Sequence, residues 1–440
     1  MPSFLIQTLG CKLNQLESEA VASAFSGAGF NPFSPEDSAP SVIIINTCTV
    51  TSKADQKARR VIRKALRDYP DSCVIATGCY AQLNKDDILK IENDDKKRLY
   101  VIGKDNILNF PQDYYKGTGI GEQRSEIIND VFQFNPEQFS RHTRSFLKIQ
   151  DGCDRHCTYC RIRLARGASV SLVRDEVLSR LRILEQSHAE SVLTGVNISQ
   201  YCDTNGGAPV RLSGLLEYLL DGTDKIAIRL SSLAPDCIDE KLVKVLSDKR
   251  IRPHFHLSIQ SGSDIILEKM GRCYNTETAE KAVNLLRCAK DDPFLACDII
   301  AGFPGETEEE FNKTYEFCKK IDFAWIHVFP YSRRQGTPAF FYKNTVHDRE
   351  ISQRVQMLTV LARRGRADYV KRWLGRDVDI LTENMNRKET CTCYGTSENY
   401  LKLAVKTKGS SPLPGTLLRC KLIEHGKYKD IDAIAHEIWF

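Results

Sequence analysis

Phe146-Leu147-Lys148-Ile149 is an apolar run that leads, two residues later, into Gly152-Cys153-Asp154-Arg155-His156-Cys157-Thr158-Tyr159-Cys160. A strand closed by Cys-x3-Cys-x2-Cys puts three thiols in one short loop. Such a loop can direct three thiolates at a cuboidal iron–sulfur cluster, where a four-cysteine site would supply a fourth ligand. The iron left open is free to bind a substrate or cofactor, as the open position of a catalytic zinc is. Zinc is the rival metal, with His156 as a conceivable fourth ligand, but a histidine adjoining Cys157 is poorly placed to close the same tetrahedron.

Downstream of this loop, strand-like and helix-like segments alternate. Ser191 to Leu193, Ile226 to Leu230, His254 to Ile259, Leu295 to Ile300 and Trp325 to Phe329 read as strands, with helical spacing between them. That period implies a parallel barrel or partial barrel whose site lies at the carboxyl ends of the strands. Polar groups follow those ends, in Thr194-Gly195-Val196-Asn197, Arg229-Leu230-Ser231-Ser232, Ser258-Ile259-Gln260-Ser261-Gly262 and Gly302-Phe303-Pro304-Gly305-Glu306. Ordinary turns account for their glycines and prolines equally well.

Upstream, the first 80 residues repeat a short apolar run, a tight turn and a helical segment, the form of a parallel α/β sheet. Phe4-Leu5-Ile6, Val42 to Ile45 and Cys73 to Ala76 read as strands, and Leu13 to Phe25 and Ser52 to Leu66 as helices, the second capped by Ser52 with Asp55. Each strand ends at a cysteine: Cys11, Cys48 and Cys79, separated by 37 and 31 residues. One strand-helix unit per interval brings all three thiols to the carboxyl edge of one sheet, where α/β proteins keep ligand sites. Three converging thiolates make a metal site; three ordinary buried cysteines are the alternative. On the second helix Lys53, Lys57, Arg60 and Lys64 share a face, which suits RNA phosphates or a solvated surface.

Between Pro111 and Pro136 the sequence turns irregular, with Gly117, Gly119 and Gly121, as a domain junction would. At 440 residues the chain exceeds one comfortable core, so two or three domains are expected. A hydrophobic content of 42% and a charged content of 27% exclude disorder and fibrous architecture. Neither a signal sequence nor an apolar stretch of membrane-spanning length is seen, so the expectation is cytoplasmic, with no membrane. Sixteen cysteines then read as reduced thiols rather than a disulfide framework. The net charge of +5 identifies no partner by itself.

These motifs strongly resemble the radical S-adenosylmethionine methylthiotransferases over almost the whole chain. Cys153, Cys157 and Cys160 match that family's radical-cluster signature, and Cys11, Cys48 and Cys79 its auxiliary-cluster triad. His256 to Asp264, Asp298 to Glu306 and Phe329-Pro330-Tyr331-Ser332 are also typical. Thr8-Leu9-Gly10-Cys11-Lys12-Leu13-Asn14-Gln15 and Asn46-Thr47-Cys48-Thr49-Val50-Thr51 look most like the branch acting on threonylcarbamoyladenosine in tRNA. The branches acting on isopentenyladenosine or on a ribosomal-protein aspartate differ around these cysteines and stand as alternatives, as does an RNA-binding protein with structural or redox-sensing clusters. The family usually continues its radical triad with Cys-Ile-Ile-Pro, whereas this chain has Cys160-Arg161-Ile162-Arg163-Leu164. Arg161 and Arg163 either alter the charge beside the cluster or reach toward RNA.

The resemblance implies an α/β fold of three parts. An N-terminal parallel sheet domain over 1–135 carries the auxiliary cluster, a radical S-adenosylmethionine partial barrel spans 138–372, and a small TRAM-like RNA-binding β-barrel spans 374–440. In the last part Val378 to Leu381, Tyr400 to Val405 and Leu417 to Ile423 read as strands. There Tyr400, Lys402, Lys406 and Lys408 are expected as exposed groups that stack on bases and hold phosphates, unless the barrel merely packs on the enzyme. Cys391, Cys393 and Cys420 are read as structural.

The implied cofactors are two 4Fe–4S clusters and S-adenosylmethionine. The radical cluster would bind S-adenosylmethionine and reduce it to a 5′-deoxyadenosyl radical, and the auxiliary cluster would present a methylated sulfur. Tyr159, Gly195, Asn197, Arg229, Ser231, Ser258 and Gln260 are, by family position, the candidates for the S-adenosylmethionine pocket. No side chain is assigned as catalytic, because the cofactors carry the chemistry. The implied partners are the anticodon stem-loop of tRNA and a reductant protein such as flavodoxin or ferredoxin.

Overall fold

A computed structural model describes the chain outside residues 35, 37, 92–97, 116–130, 135–142, 385–391, 408–411, 427–429 and 439–440. Gly117, Gly119, Gly121, Pro136, Cys391 and Lys408 lie outside the described residues.

The N-terminal sheet is parallel throughout, in the order β2 (Asn31–Pro32), β1 (Ser3–Thr8), β3 (Val42–Thr47), β4 (Cys73–Gly78), β5 (Leu99–Val101). Every residue of β3 is buried, as a central parallel strand covered on both faces must be. Helix Lys12–Gly27 covers one face through Leu16, Val21 and Phe25, and helix Ser52–Asp68 the other through Ala58, Ile62 and Ala65. The second helix is capped one residue earlier than its sequence suggests. Thr51 accepts from the Ala54 N–H, while Asp55 is drawn inward to accept from Thr49 and to pair with Arg334.

Six parallel strands follow: β6 (Ser145–Asp151), β8 (Glu190–Gly195), β11 (Ala227–Leu230), β12 (His254–Gln260), β13 (Phe294–Ala301) and β14 (Trp325–Pro330). Bridges Ile228 to Ile251 and Leu233 to Leu257 carry the curvature from β11 to β12, giving a partial barrel. Strand β7 (Val170–Ser171) adds an antiparallel edge to β6, and β9 (Cys202–Asp203) pairs with β10 (Val210–Arg211) in a small hairpin. One apolar core runs from the N-terminal sheet into the barrel, joining Phe4, Phe25 and Phe30 to Leu147, Leu193 and Leu257.

The carboxyl-terminal strands β15 (Asp377–Glu383), β16 (Thr392–Ser397), β17 (Lys402–Lys406), β18 (Leu417–His425) and β19 (Ala433–Glu437) close into a barrel in the order β15-β16-β17-β19-β18. Cys393 and Cys420 are apolar fill in its core beside Val378, Leu403 and Leu422. Expected as exposed, Tyr400 is instead a plug. Its ring stacks on His254 with centroids 4.1 Å apart and lies near the Arg229 and Arg144 guanidiniums. Lys402 is likewise held by Glu383 at 2.8 Å. The barrel caps the amino-terminal ends of the central strands, and packing there outweighs the exposure its polar sequence suggests. Among the described residues no helix is long and apolar enough to cross a membrane.

Candidate active site

Cys48 and Cys79 follow β3 and β4 directly, Cys11 follows β1 after Leu9 and Gly10, and all three line one cavity where those strands end. Glycine makes this approach possible. Gly10 holds φ +108°, and a Cβ on it would lie 2.5 Å from the Cys48 Cβ and 2.7 Å from its sulfur. Gly78, at φ +92°, carries its peptide within 2.4 Å, measured from an added Cβ, of the Thr47 carbonyl. Substituting either glycine therefore pushes on a cysteine-bearing turn.

Cys153, Cys157 and Cys160 occupy the loop after β6. One cavity of about 550 Å3 lies between the two triads, its wall including Cys11, Cys48 and Cys79 from one side and Tyr159 with Cys160 of the second triad from the other. That volume suits a nucleoside-sized ligand with its cofactor. Among the described residues no three cysteine, histidine or acidic side chains stand close enough to hold one metal ion. A cuboidal cluster asks for a wider spread, since each thiolate binds a separate iron.

The donor set fits iron–sulfur ligation. Burial pushes the Cys48 thiol up to about 11 and the Cys160 thiol up to about 12, so thiolates there need the positive charge of a metal core. Arg272 donates to Cys157 at 3.2 Å, Arg166 and Lys104 to Cys79 at 3.3 and 3.5 Å, and the Ile162 N–H to Cys160 at 3.4 Å. Hydrogen bonds to sulfur of this kind tune a cluster's charge.

Five sequence candidates line the cavity: Tyr159, Gly195, Ser231, Ser258 and Gln260. Asn197 stands beside it, its Nδ2 4.0 Å from the Cys153 sulfur and its N–H bound to Gln150. Arg229 is not brought to the wall. Its side chain is 1% exposed, paired with Glu190 at 2.7 Å and donating to the Ser397 carbonyl, because β11 turns it toward the base of the barrel. Arg161 points to Asn84 and Asp55 of the N-terminal domain, and Arg163 packs on His156. Neither arginine donates to a cysteine sulfur of either triad among the described residues.

Sequence reading missed the groups that join the two halves. Arg166 pairs with Glu17 at 2.9 Å and Asp151 at 3.0 Å, with Lys104 on Glu17 at 3.0 Å and Lys148 on Asp151. Burial alone would raise the Glu17 carboxyl, but the charges of Arg166, Lys104 and Lys148 outweigh it and hold it at about 2. Arg334 reaches Asp55 at 2.9 Å and Thr49 at 2.6 Å, tying the strand-end region of the barrel to the turn after Cys48. Inside the barrel His256 accepts or donates between Ser232 at 3.1 Å and Asp298 at 3.0 Å, and burial beside it lowers His327 to about 4. Arg166 follows the Cys153 to Cys160 loop closely in the chain, but the acids that receive it lie in other elements.

Two family models match, the uncharacterized protein family UPF0004 over residues 3–99 and the radical SAM superfamily over residues 147–318. A threonylcarbamoyladenosine tRNA methylthiotransferase of Treponema pallidum is 37% identical, the match covering 93% of this chain and 95% of that protein. One from Aquifex aeolicus is 35% identical over 90% of this chain and 95% of its own. A tRNA-2-methylthio-N6-dimethylallyladenosine synthase of Protochlamydia amoebophila follows at 30%, over 97% and 94%. The chain therefore belongs to the radical S-adenosylmethionine methylthiotransferases, in the branch of the threonylcarbamoyladenosine tRNA methylthiotransferases.

Proposed function

We propose that this chain converts N6-threonylcarbamoyladenosine at position 37 of tRNA to its 2-methylthio derivative. The observation that carries the reading is one cavity walled by thiols from both triads, in a chain 37% identical to an enzyme named for that substrate. Carbon 2 of adenine has no acidic proton and no leaving group, so polar acid–base chemistry cannot exchange its hydrogen for sulfur. Cys153, Cys157 and Cys160 would hold the 4Fe–4S cluster that with S-adenosylmethionine would supply the radical chemistry, and Cys11, Cys48 and Cys79 would hold a second cluster that would supply the sulfur site.

The chain's own residues position and insulate. Tyr159, Gly195, Ser231, Ser258 and Gln260 wall the cofactor side, with Asn197 beside Cys153. Arg272 and Arg166 offset thiolate charge at Cys157 and Cys79. Lys53, Lys57, Arg60, Arg63, Lys64 and Arg67 are all exposed on helix Ser52–Asp68, which supports a role in holding tRNA phosphates. Lys406 is exposed on the small barrel and serves the same end. The electron comes from a one-electron donor of the flavodoxin or ferredoxin kind, and reduced thiols suit the cytoplasm. The test is mass spectrometry of tRNA nucleosides from cells deleted for the gene. Loss of 2-methylthio-N6-threonylcarbamoyladenosine with its precursor retained supports the reading; loss of the isopentenyl product, or of neither, overturns it.

A further inference from the structure

The deep end of the cavity carries more positive charge than its own acids neutralise. His254, the first residue of β12, lines it there, with Tyr400 stacked behind the imidazole. Lys12, the first residue of its helix, lines the same cavity and carries its ammonium 5.6 Å from the Tyr400 ring centre. Around this point Arg229 and Arg252 share Glu190, at 2.7 and 2.9 Å, while Arg144 and Lys402 share Glu383, at 2.6 and 2.8 Å. Lys12 has no ion-pair partner among the described residues, although each cation behind it is paired. Two nitrogens buried behind the wall also lack partners there, Arg229 Nη1 and His254 Nδ1. A half-buried cation has lost part of its hydration and gains from an anion, and orphaned buried nitrogens add to the cost. An anionic group entering the cavity pairs with Lys12, the cation that lines it.

On the substrate reading above, the adenine brings such a group. A threonylcarbamoyl arm ends in a free carboxylate, whereas an unmodified or isopentenyl adenine ends in none. We infer that Lys12 receives the carboxylate of the substrate's threonyl arm at the floor of the cavity, and is thereby the residue that selects an acidic N6 substituent over an apolar one. Lys12 stands on the cysteine-bearing edge of the N-terminal sheet rather than on the Cys153 to Cys160 loop, which assigns it to the nucleoside and not to the amino-acid end of S-adenosylmethionine.

The test uses the anaerobically reconstituted full chain and anticodon stem-loop RNAs carrying adenosine, N6-threonylcarbamoyladenosine or its methyl ester. The wild type is expected to bind the acid form roughly ten- to a hundredfold tighter than the ester or adenosine, the range of one charge-assisted hydrogen bond. Lys12→Gln should lose that preference while keeping its affinity for the adenosine RNA, and Lys12→Arg should retain most of it. The ester makes the same cut on the ligand, so the comparison survives a variant that folds poorly. An undiminished preference in Lys12→Gln overturns the assignment alone. An equal loss of 5′-deoxyadenosine formation with and without RNA also overturns it, giving Lys12 to the cofactor. A wild type indifferent to the three RNAs overturns the substrate reading, and this inference with it.

Discussion

The two cysteine triads are brought together in opposite ways. Cys153, Cys157 and Cys160 lie within eight residues of one loop, fixed by the end of β6. Cys11, Cys48 and Cys79 are spread over three turns, and only the register of β1, β3 and β4 brings them together. A local triad depends on its own loop. A distributed triad depends on the sheet, on the glycines that let its turns touch, and on the docking that sets it across from the barrel.

The sharpest separation removes one ligand from each. Cys157→Ala should abolish 5′-deoxyadenosine formation and product together, whereas Cys48→Ala should abolish product yet spare cofactor cleavage, both read by chromatography of the reaction. Full methylthiolation by either variant breaks the distinction. Next comes a change that touches no ligand. Gly10→Ala puts a methyl 2.5 Å from the Cys48 Cβ at a left-handed φ of +108°, so it should strip iron from the distributed triad and leave the absorbance of the local one in place. Normal iron content would show that the turn yields.

Docking is tested by Arg166→Met, which leaves Glu17 and Asp151 short of their central cation. Breaking a buried pair of this sort costs about 3–5 kcal/mol, visible as a lowered unfolding midpoint. Glu17 adds a pH signature with a definite sign. Its carboxyl sits at about 2 when folded against an ordinary 4.5, so its ionisation stabilises the fold fully above about pH 4.5. That stability, about 3 kcal/mol for the shift, is lost as the pH falls toward 2. Glu17→Gln should be less stable at neutral pH and show a shallower acid decline over that window. The smallest effect is at the surface. Reversing the charges of Arg60 and Lys64 should weaken tRNA affinity several-fold and flatten its salt dependence, with no change in iron content; unchanged binding would make that helix a plain solvated face.

The same contrast explains what could be read from the sequence. The local triad is visible as spacing, and the distributed one as a cysteine at each successive strand end, because a parallel sheet converts equal strand-helix intervals into spatial coincidence. Strand positions follow from apolar runs, and each expected strand of the barrel is present, extended by one or two residues at most ends. What stayed hidden depends on contacts between distant elements. Nothing near Tyr400 says that its ring stacks on His254, and nothing near Arg229 says that Glu190 will hold it, since each partner lies in another element. The Arg166, Glu17 and Lys104 cluster is illegible for the same reason, being assembled from three elements across the junction between the sheet and the barrel.

The proposed function requires that both triads hold clusters facing one cavity. Iron and sulfide quantitation of the anaerobically reconstituted chain, beside variants with one triad changed to alanine, tests it most directly. The wild-type chain should carry about eight irons and each triple variant about four. About four in the wild type, unchanged when Cys11, Cys48 and Cys79 are replaced, would contradict it.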